Sequence, residues 1–252
     1  MRAPYQNMAI DDMTIEHMTI EDMTTIVPSP ARSVYVTGTD TGVGKTLVSA
    51  ALLHRLRSTG LRASGMKPVA SGCERTPDGW RNDDALRLQA ASDPRPTYDD
   101  VNPYALELPT APQLAARAMA VSVDLLRLGD AYLRLAMQAD AVVIEGVGGW
   151  AAPLDDGLDQ ADLVRMLDVP VVLVIGLRLG CLSHARLTAR AIQSDGVSLI
   201  GWIGSSVDPM FSERNDYIEL LRDALTAPCL GVLPYAPDAD PAQMSKYLTM
   251  PA

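Results

Sequence analysis

Short apolar stretches alternate along this chain with longer segments in which apolar residues recur every three or four positions. Six stretches have the length and β-branched content of buried strands, at 33–38, 62–69, 140–146, 170–176, 198–205 and 228–234. The segments between them, such as 44–60 and 124–139, have helical periodicity. Gly60 and Gly196 follow two of these segments, where glycine often ends a helix. The alternation predicts an α/β fold with a doubly wound, mostly parallel sheet.

One region interrupts this rhythm. Residues 72–112 are rich in proline, aspartate and glycine, and we expect a loop with short helices that lies over the functional site. No second apolar core is apparent in the pattern. We therefore predict a single domain over 32–252, preceded by an extension over 1–31.

The extension has its own repeat. Methionine recurs every five residues in "MAIDDMTIEHMTIEDMTTI", a period that matches neither helix nor strand. The segment is acidic and lacks the basic start of a targeting peptide. We predict a disordered tail or a segment upstream of the true start, and a short partner-binding helix is the alternative.

The composition of the chain argues against several classes of function. The formal net charge is −10, and an acidic surface repels phosphate backbones, so we expect no nucleic-acid partner. The three cysteines are far apart and form no C-x-x-C pair, which predicts neither a disulfide framework nor a metal cage, and favours a reducing, cytoplasmic compartment. The sequence contains no long uncharged apolar run, so we predict no membrane span.

The first predicted strand leads into "VTGTDTGVGKT" at 36–46. The common phosphate-binding loop is G-x-x-x-x-G-K-[ST], which would place its first glycine at position 39. Thr39 stands there and the glycine is Gly38, so the loop is one residue longer. Because the loop joins a strand to a helix, we predict a phosphate site in which backbone amides, Lys45 and the Thr46 hydroxyl hold the phosphates and Mg²⁺.

Two carboxylates and one lysine complete the candidate chemistry. Glu145 ends an apolar strand and Asp84 begins a predicted helix; with Thr46 they offer the oxygen ligands that Mg²⁺ prefers, although Asp84 alone also suits a helix cap. Lys67 interrupts the end of the second strand. A buried lysine needs an anion, which is either a structural carboxylate or the transferred phosphoryl group and an anionic substrate.

These side chains follow different strands of the predicted sheet. In open parallel sheets, ligands bind beyond the carboxyl ends of the strands. The segment 37–39 follows the first predicted strand, whereas Lys67, Glu145 and the segment 204–206 each end a predicted strand. We expect them to lie together at one edge.

The motifs "VTGTDTGVGKT", "MKPVASG", "RNDDAL", "VIEGVGGW", "LGCLSHA" and "GVLP" occur in this order between residues 33 and 247. Together they resemble the dethiobiotin synthetase family, whose phosphate loop carries the same extra residue. The resemblance implies a P-loop NTPase-like fold, and a homodimer with its site at the subunit interface. It also implies that MgATP, CO₂ and 7,8-diaminononanoate are converted to dethiobiotin, ADP and phosphate.

In the implied reaction, the diamine and CO₂ form a carbamate whose oxygen attacks the γ-phosphate. The second amine then attacks the resulting carbamic–phosphoric anhydride and closes the cyclic urea. The resemblance assigns catalysis to Lys67 and Lys45 and the metal to Thr46, Asp84 and Glu145. It assigns nucleotide binding to Gly42, Val43, Gly44, Lys45, Thr46, Leu47, Asp84, Glu145, Gly146, Val147, Gly148, Ser205, Ser206, Pro234, Tyr235 and Ala236. It assigns the substrate to Thr41, Ser71, Gly180, Cys181, Ser183 and Tyr217, of which the last four reach the partner subunit's substrate.

Some positions depart from the family pattern. Ser205 stands where the family often has an asparagine that reads the adenine edge; serine offers fewer donors and acceptors than an amide, so looser base selectivity is expected. Ser183 stands where the family often has an asparagine near the substrate carboxylate, which serine replaces with a shorter reach. Three other functions remain to be weighed. Partitioning-type ATPases carry a lysine where this chain has Asp40, amidases of the same superfamily need a further glutaminase domain, and a nucleotide-binding regulatory protein has no need of Lys67.

Overall fold

The computed structural model describes residues 33–250. Its main strands are β1 (Val34–Gly38), β2 (Ala63–Met66), β7 (Ala141–Glu145), β10 (Val171–Leu177), β11 (Leu199–Ser206) and β12 (Cys229–Leu233). Shorter strands are β3 (Val69–Ser71), β4 (Glu74–Thr76), β5 (Gly79–Arg81), β6 (Tyr104–Leu106), β8 (Pro153–Asp155) and β9 (Leu158–Asp159). The helices are α1 (Lys45–Arg57), α2 (Asp83–Ala91), α3 (Tyr98–Val101), α4 (Pro112–Ala118), α5 (Leu125–Gln138), α6 (Gln160–Leu167), α7 (Cys181–Ser194), α8 (Arg214–Ala224) and α9 (Pro241–Met244), and a 3-10 turn follows at Ser245–Tyr247.

The six main strands form one parallel sheet in the order β12-β11-β10-β1-β7-β2. The chain first builds the sheet from β1 toward β2 and β7, and then continues on the other side of β1 with β10, β11 and β12. This change of direction places a crevice at the carboxyl end of β1, between β7 and β10. The predicted doubly wound α/β fold in a single domain is confirmed, and each of the six predicted strands belongs to this sheet.

Apolar side chains of successive strand residues point to opposite faces, as the pleat requires. On one face, Val34 and Val36 pack with the α1 residues Leu52 and Leu53. On the other face, Tyr35 belongs to a cluster formed by α5 and α6. Further along the sheet, Leu173, Ile175 and Trp202 pack beneath α7 and α8. Because both faces are covered, the strands are almost wholly aliphatic and buried.

The second predicted strand, 62–69, was too long. β2 ends at Met66, and the Lys67 amide donates instead to the Val101 carbonyl at 2.7 Å. Pro68 has no amide hydrogen to continue the ladder. The chain therefore leaves the main sheet, and β3 pairs with β6 in a separate two-stranded sheet. Lys67 lies just beyond the strand end rather than within it.

The region 72–112 contains three short helices, α2, α3 and the start of α4, as the sequence predicts. It also contains the antiparallel hairpin of β4 and β5 and the strand β6. These strands have only three residues each, too few for an alternating pattern to be recognised in the sequence.

The predicted extension over 1–31, with its alternative of a partner-binding helix, lies outside the described residues. Among residues 33–250, no helix combines the length and apolar character that crossing a membrane requires.

Candidate active site

A cavity of about 820 Å³ opens at the carboxyl edge of the sheet. One wall is the phosphate loop, residues 38–46, with the start of α1. A second wall is the segment after β7, residues 146–150, which we call the glycine loop. Residues 109–112 form a third wall and lie over the site, as expected for the region 72–112. The cavity is lined by Thr41, Gly42, Gly44, Lys45, Thr46, Leu47, Lys67, Ala70, Ser71, Asn82, Asp84, Arg87, Pro109, Thr110, Ala111, Pro112, Glu145, Val147, Gly148, Gly149 and Ala152.

The phosphate loop has the backbone of an anion site. Gly42 and Gly44 have φ angles of 72° and 88°, in the left-handed region that glycine enters without steric cost. A side chain at Gly44 would also begin 2.5 Å from the Ser205 hydroxyl. α1 begins at Lys45, so the amides that precede its first helical hydrogen bond are free to bind a ligand. These amides and the positive end of the helix dipole suit phosphate oxygens.

Lys45 extends from this helix start into the cavity. Its ammonium donates to the Asp40 carbonyl at 3.0 Å. Burial, together with the charge of Lys67, lowers the pKa of Lys45 to about 8. The Asp40 carboxylate pairs with Arg178 at 2.6 Å. Asp40 occupies the position at which partitioning-type ATPases carry a lysine, and here its charge is neutralised by Arg178.

Lys67 faces the phosphate loop from the end of β2. Its ammonium donates to Glu145 Oε1 at 2.6 Å, to the Gly146 carbonyl at 3.1 Å and to Asp84 Oδ2 at 3.4 Å. Burial lowers the pKa of Lys67, but the charges of Glu145 and Asp84 outweigh burial and leave it raised, so the lysine is protonated. Lys67 therefore forms a buried salt bridge with Glu145, and the same residue lines the cavity. Both sequence interpretations of Lys67 are therefore compatible with its position.

Thr46, Asp84 and Glu145 converge beside Lys67. The Thr46 hydroxyl donates to Glu145 Oε1 at 3.0 Å. Asn82, rather than Asp84, caps α2 by accepting the amides of Asp84 and Ala85, which leaves the Asp84 carboxylate directed to the cavity. Burial raises the pKa of Asp84, but Lys67 and the neighbouring groups outweigh it and hold it below its usual value.

Glu145 is fully buried, and burial raises the pKa of its carboxyl although Lys67 opposes the shift. Its Oε2 atom has no hydrogen-bond partner among the described residues. A buried carboxylate oxygen without a partner costs free energy. Beside a hydroxyl and a second carboxylate, it fits a hard cation with water and phosphate completing the shell.

Comparisons with known proteins show the family to which the chain belongs. A family model described as an AAA domain matches residues 32–243. The ATP-dependent dethiobiotin synthetase of Xanthomonas oryzae pv. oryzae (strain PXO99A) is 58% identical over 86% of this chain and 97% of its own length. That of Xylella fastidiosa (strain 9a5c) is 56% identical over 85% of this chain and 95% of its own. The chain belongs to the ATP-dependent dethiobiotin synthetase family.

Solved structures support the fold of this dethiobiotin synthetase family member and nothing further. The cell division protein MinD of Aquifex aeolicus matches with a TM-score of 0.51 and 17% identity, over 85% of this chain and 87% of that chain. The MinC:MinD complex of the same organism matches with a TM-score of 0.53 and 16% identity, over 85% and 86%.

Most residues that the dethiobiotin synthetase resemblance assigns to the phosphates and the reacting groups line the cavity. These are Thr41, Gly42, Gly44, Lys45, Thr46, Leu47, Lys67, Ser71, Asp84, Glu145, Val147 and Gly148. Val43 is buried beneath the phosphate loop. Gly146 contributes its carbonyl to Lys67. Ser205 and Ser206 are buried at the end of β11, where Ser205 adjoins Gly44.

The remaining assigned residues lie apart from this cavity. Pro234, Tyr235 and Ala236 follow β12 at the same sheet edge. Gly180, Cys181 and Ser183 begin α7 after β10, and Tyr217 on α8 packs edge-on against Phe211 with ring centroids 4.9 Å apart. None of these seven lines the cavity of the single chain, and their roles in dethiobiotin synthesis stay predictions.

The sequence interpretation missed several residues of the site. Arg87 lines the cavity one helical turn after Asp84, and the i, i+3 spacing on α2 was a usable signal. Asn82 and Thr110 also line it. Gln160 is fully buried behind the glycine loop, and no local pattern indicates its place.

Proposed function

We propose that this chain is an ATP-dependent dethiobiotin synthetase, a ligase that forms the cyclic urea of dethiobiotin from 7,8-diaminononanoate and CO₂. ATP is the co-substrate, and ADP and phosphate are released. Family membership supports this reaction. The observation that carries the proposal is that the phosphate loop and Lys67 wall the same cavity. A nucleotide switch has no need of a second buried cation opposite its phosphates.

Lys67 holds the carbamate oxygen close to the γ-phosphate. A lysine ammonium has three hydrogens to donate, and all three have acceptors in the present arrangement. Asp84 is the most distant acceptor and its side chain is 42% exposed. A substrate oxygen therefore replaces Asp84, while Glu145 and Gly146 keep the ammonium in place. Such positioning brings the reacting oxygens together and stabilises the charge that develops between them.

Lys45 and the amides at the start of α1 stabilise charge on the phosphates of the departing ADP. Thr41 and Ser71 both line the cavity and present hydroxyls to the diamine or its carbamate. The second amine then attacks the activated carbonyl carbon, the C–O bond to the phosphoryl group breaks, and phosphate leaves as the ring closes. No side chain forms a covalent intermediate in this sequence.

We propose Mg²⁺ as the metal, held by Thr46, Asp84 and Glu145. The unpartnered Glu145 Oε2 supports this assignment. When bound, Mg²⁺ neutralises charge on the β- and γ-phosphates of ATP.

We further propose a homodimer in which the start of α7 and Tyr217 serve the partner's substrate. Two apolar side chains near these residues support an interface, because Leu179 is 79% exposed and Met210 is 85% exposed. The three cysteines are free thiols, which supports a cytoplasmic location.

The decisive experiment incubates the protein with diaminononanoate, bicarbonate and MgATP and detects dethiobiotin by mass. Product that depends on all three reagents is expected. Hydrolysis of ATP that is unaffected by the diamine, with no dethiobiotin, would refute the proposed reaction. Sedimentation of the protein at micromolar concentration tests the homodimer separately.

A further inference from the structure

Gln160 stands behind the glycine loop, at the first residue of α6, and is fully buried. Its Oε1 accepts from the Tyr35 hydroxyl at 2.6 Å and from the Val147 amide at 3.0 Å. Its Nε2 donates to the Gly149 carbonyl at 2.6 Å and to the Trp150 carbonyl at 3.2 Å. A glutamine amide can accept two hydrogen bonds and donate two, so every one of its positions is used.

The four partners belong to two elements that carry the chemistry. Tyr35 is the second residue of β1, the strand that leads into the phosphate loop. The other three groups belong to the glycine loop, at both of its ends. The amide therefore fixes the loop as a unit relative to β1, which a single hydrogen bond would not do.

Tyr35 is held as a neutral donor. Its ring is buried and lies edge-on to Trp150, with centroids 6.3 Å apart. Burial and the nearby negative charge of Glu145 raise the pKa of its hydroxyl far above the usual value. The hydroxyl keeps its proton, and with it the hydrogen bond to Gln160, at any working pH.

The fixed loop contacts the reacting groups directly. Gly146 gives its carbonyl to the Lys67 ammonium, and a side chain at Gly146 would collide with Gln160 Oε1 and the Tyr35 hydroxyl. Val147 and Gly148 line the cavity, and the glycine loop adjoins the phosphate loop, since a side chain at Gly149 would begin 3.6 Å from the Gly38 carbonyl. Gly146 is also held by its own amide, which donates to the Val36 carbonyl of β1 at 2.9 Å. A shift of the loop beyond Gly146 therefore moves the wall formed by Val147 and Gly148.

We infer that Gln160, with Tyr35, is a positioning residue for the ligase reaction: the pair holds the glycine loop so that Val147 and Gly148 keep their place in the wall of the cavity that Lys67 also lines. Gln160 does not itself line the cavity. The role in turnover rests on the proposed function, whereas the fixing of the loop does not.

The test uses Gln160→Leu, Tyr35→Phe and the double variant, with Leu167→Ala at the far end of α6 as a control for lost stability. Gln160→Leu removes the side-chain partner of the Val147 amide and of the Trp150 carbonyl, and leaves the Gly149 carbonyl with the Ala152 amide alone. We expect at least a tenfold fall in kcat at saturating MgATP, so that weaker nucleotide binding does not account for the fall. Leu167→Ala should lower the urea midpoint but keep kcat within twofold of the unsubstituted protein.

The double variant separates positioning from stability. Adding Tyr35→Phe to Gln160→Leu removes a buried hydroxyl that has lost its acceptor, so the urea midpoint should rise while kcat stays low. Recovery of kcat together with the midpoint, or a kcat of Gln160→Leu within twofold of the unsubstituted protein, would overturn the positioning role.

Hydrogen–deuterium exchange of the peptide over 145–150 tests the loop without reference to dethiobiotin. At least tenfold faster exchange at the Val147 amide is expected in Gln160→Leu. Unchanged exchange would refute the inference even in an active enzyme. Failure of the unsubstituted protein to make dethiobiotin would refute its role in turnover and leave the exchange result to decide whether the loop is fixed.

Discussion

Replacing Lys67 by methionine removes the cation that faces Glu145 at 2.6 Å, in a pair whose side chains are 5% and 1% exposed. The carboxylate is then buried without a countercharge in direct contact. Removing one partner of a buried ion pair typically costs about 3–5 kcal/mol. Glu145 can avoid part of this cost by taking up a proton.

The cost of protonation depends on pH. The ordinary pKa of the carboxyl is 4.5, and each pH unit above it costs about 1.4 kcal/mol. Protonating Glu145 therefore costs about 1.4 kcal/mol at pH 5.5 and about 3.4 kcal/mol at pH 7. The folded pKa of Glu145 in the variant lies above the unfolded value. The variant protein is consequently most stable below pH 4.5, and its free energy of unfolding falls as the pH rises toward the folded pKa of Glu145.

Urea unfolding of Lys67→Met and of Lys67→Met with Glu145→Gln isolates this effect, because the double variant has no carboxylate to protonate. The stability of the single variant relative to the double variant should fall by about 1.4 kcal/mol per pH unit between pH 5 and 7. A difference that does not vary with pH would show that Lys67 does not compensate a buried charge. Lys67→Met should bind MgATP but make no dethiobiotin, and near-normal turnover in this variant would refute the catalytic role of Lys67.

Three further substitutions test the remaining assignments. Lys45→Met should abolish turnover but stabilise the fold by about 3 kcal/mol below pH 8, because the folded pKa of Lys45, about 8, lies under its ordinary value of 10.5. This gain in the free energy of unfolding, measured with urea, should vanish by pH 10.5. No gain at pH 7 would contradict the prediction. Thr46→Val should weaken Mg²⁺-dependent nucleotide binding in calorimetry, and an unchanged Mg²⁺ requirement would count against a ligand role. Because Ser205 replaces an amide, nucleotides other than ATP should support measurable turnover, which Ser205→Asn should reduce; strict ATP dependence would mean that the base is read elsewhere.

Local patterns were sufficient for the elements and for the phosphate loop. Six strands and the long helices follow from apolar periodicity, since a strand or helix buries the face that its own sequence provides. The loop at 38–46 is recognisable because all its ligand groups are neighbours in the chain. The carboxyl-edge rule then placed Lys67, Glu145 and the phosphate loop together, because parallel strands end at a shared edge.

Contacts between residues that are far apart in the sequence could not be predicted from local patterns. Lys67 and Glu145 are 78 positions apart, and whether the lysine meets a carboxylate or only the cavity is decided by β2 and β7 being neighbours in the sheet. Tyr35 and Gln160 are 125 positions apart, and neither has a sequence context that predicts the other. The early end of β2 likewise depends on Val101, which takes the Lys67 amide.

The sequence by itself therefore determined the elements, the phosphate loop and the sheet edge at which the chemistry lies, because each depends on residues close along the chain or on a general rule of parallel sheets. Only the tertiary structure decided which side chains meet there. Hydrogen bonds and ion pairs depend on distances of about 3 Å, and the packing of strands and helices from separate parts of the chain sets those distances.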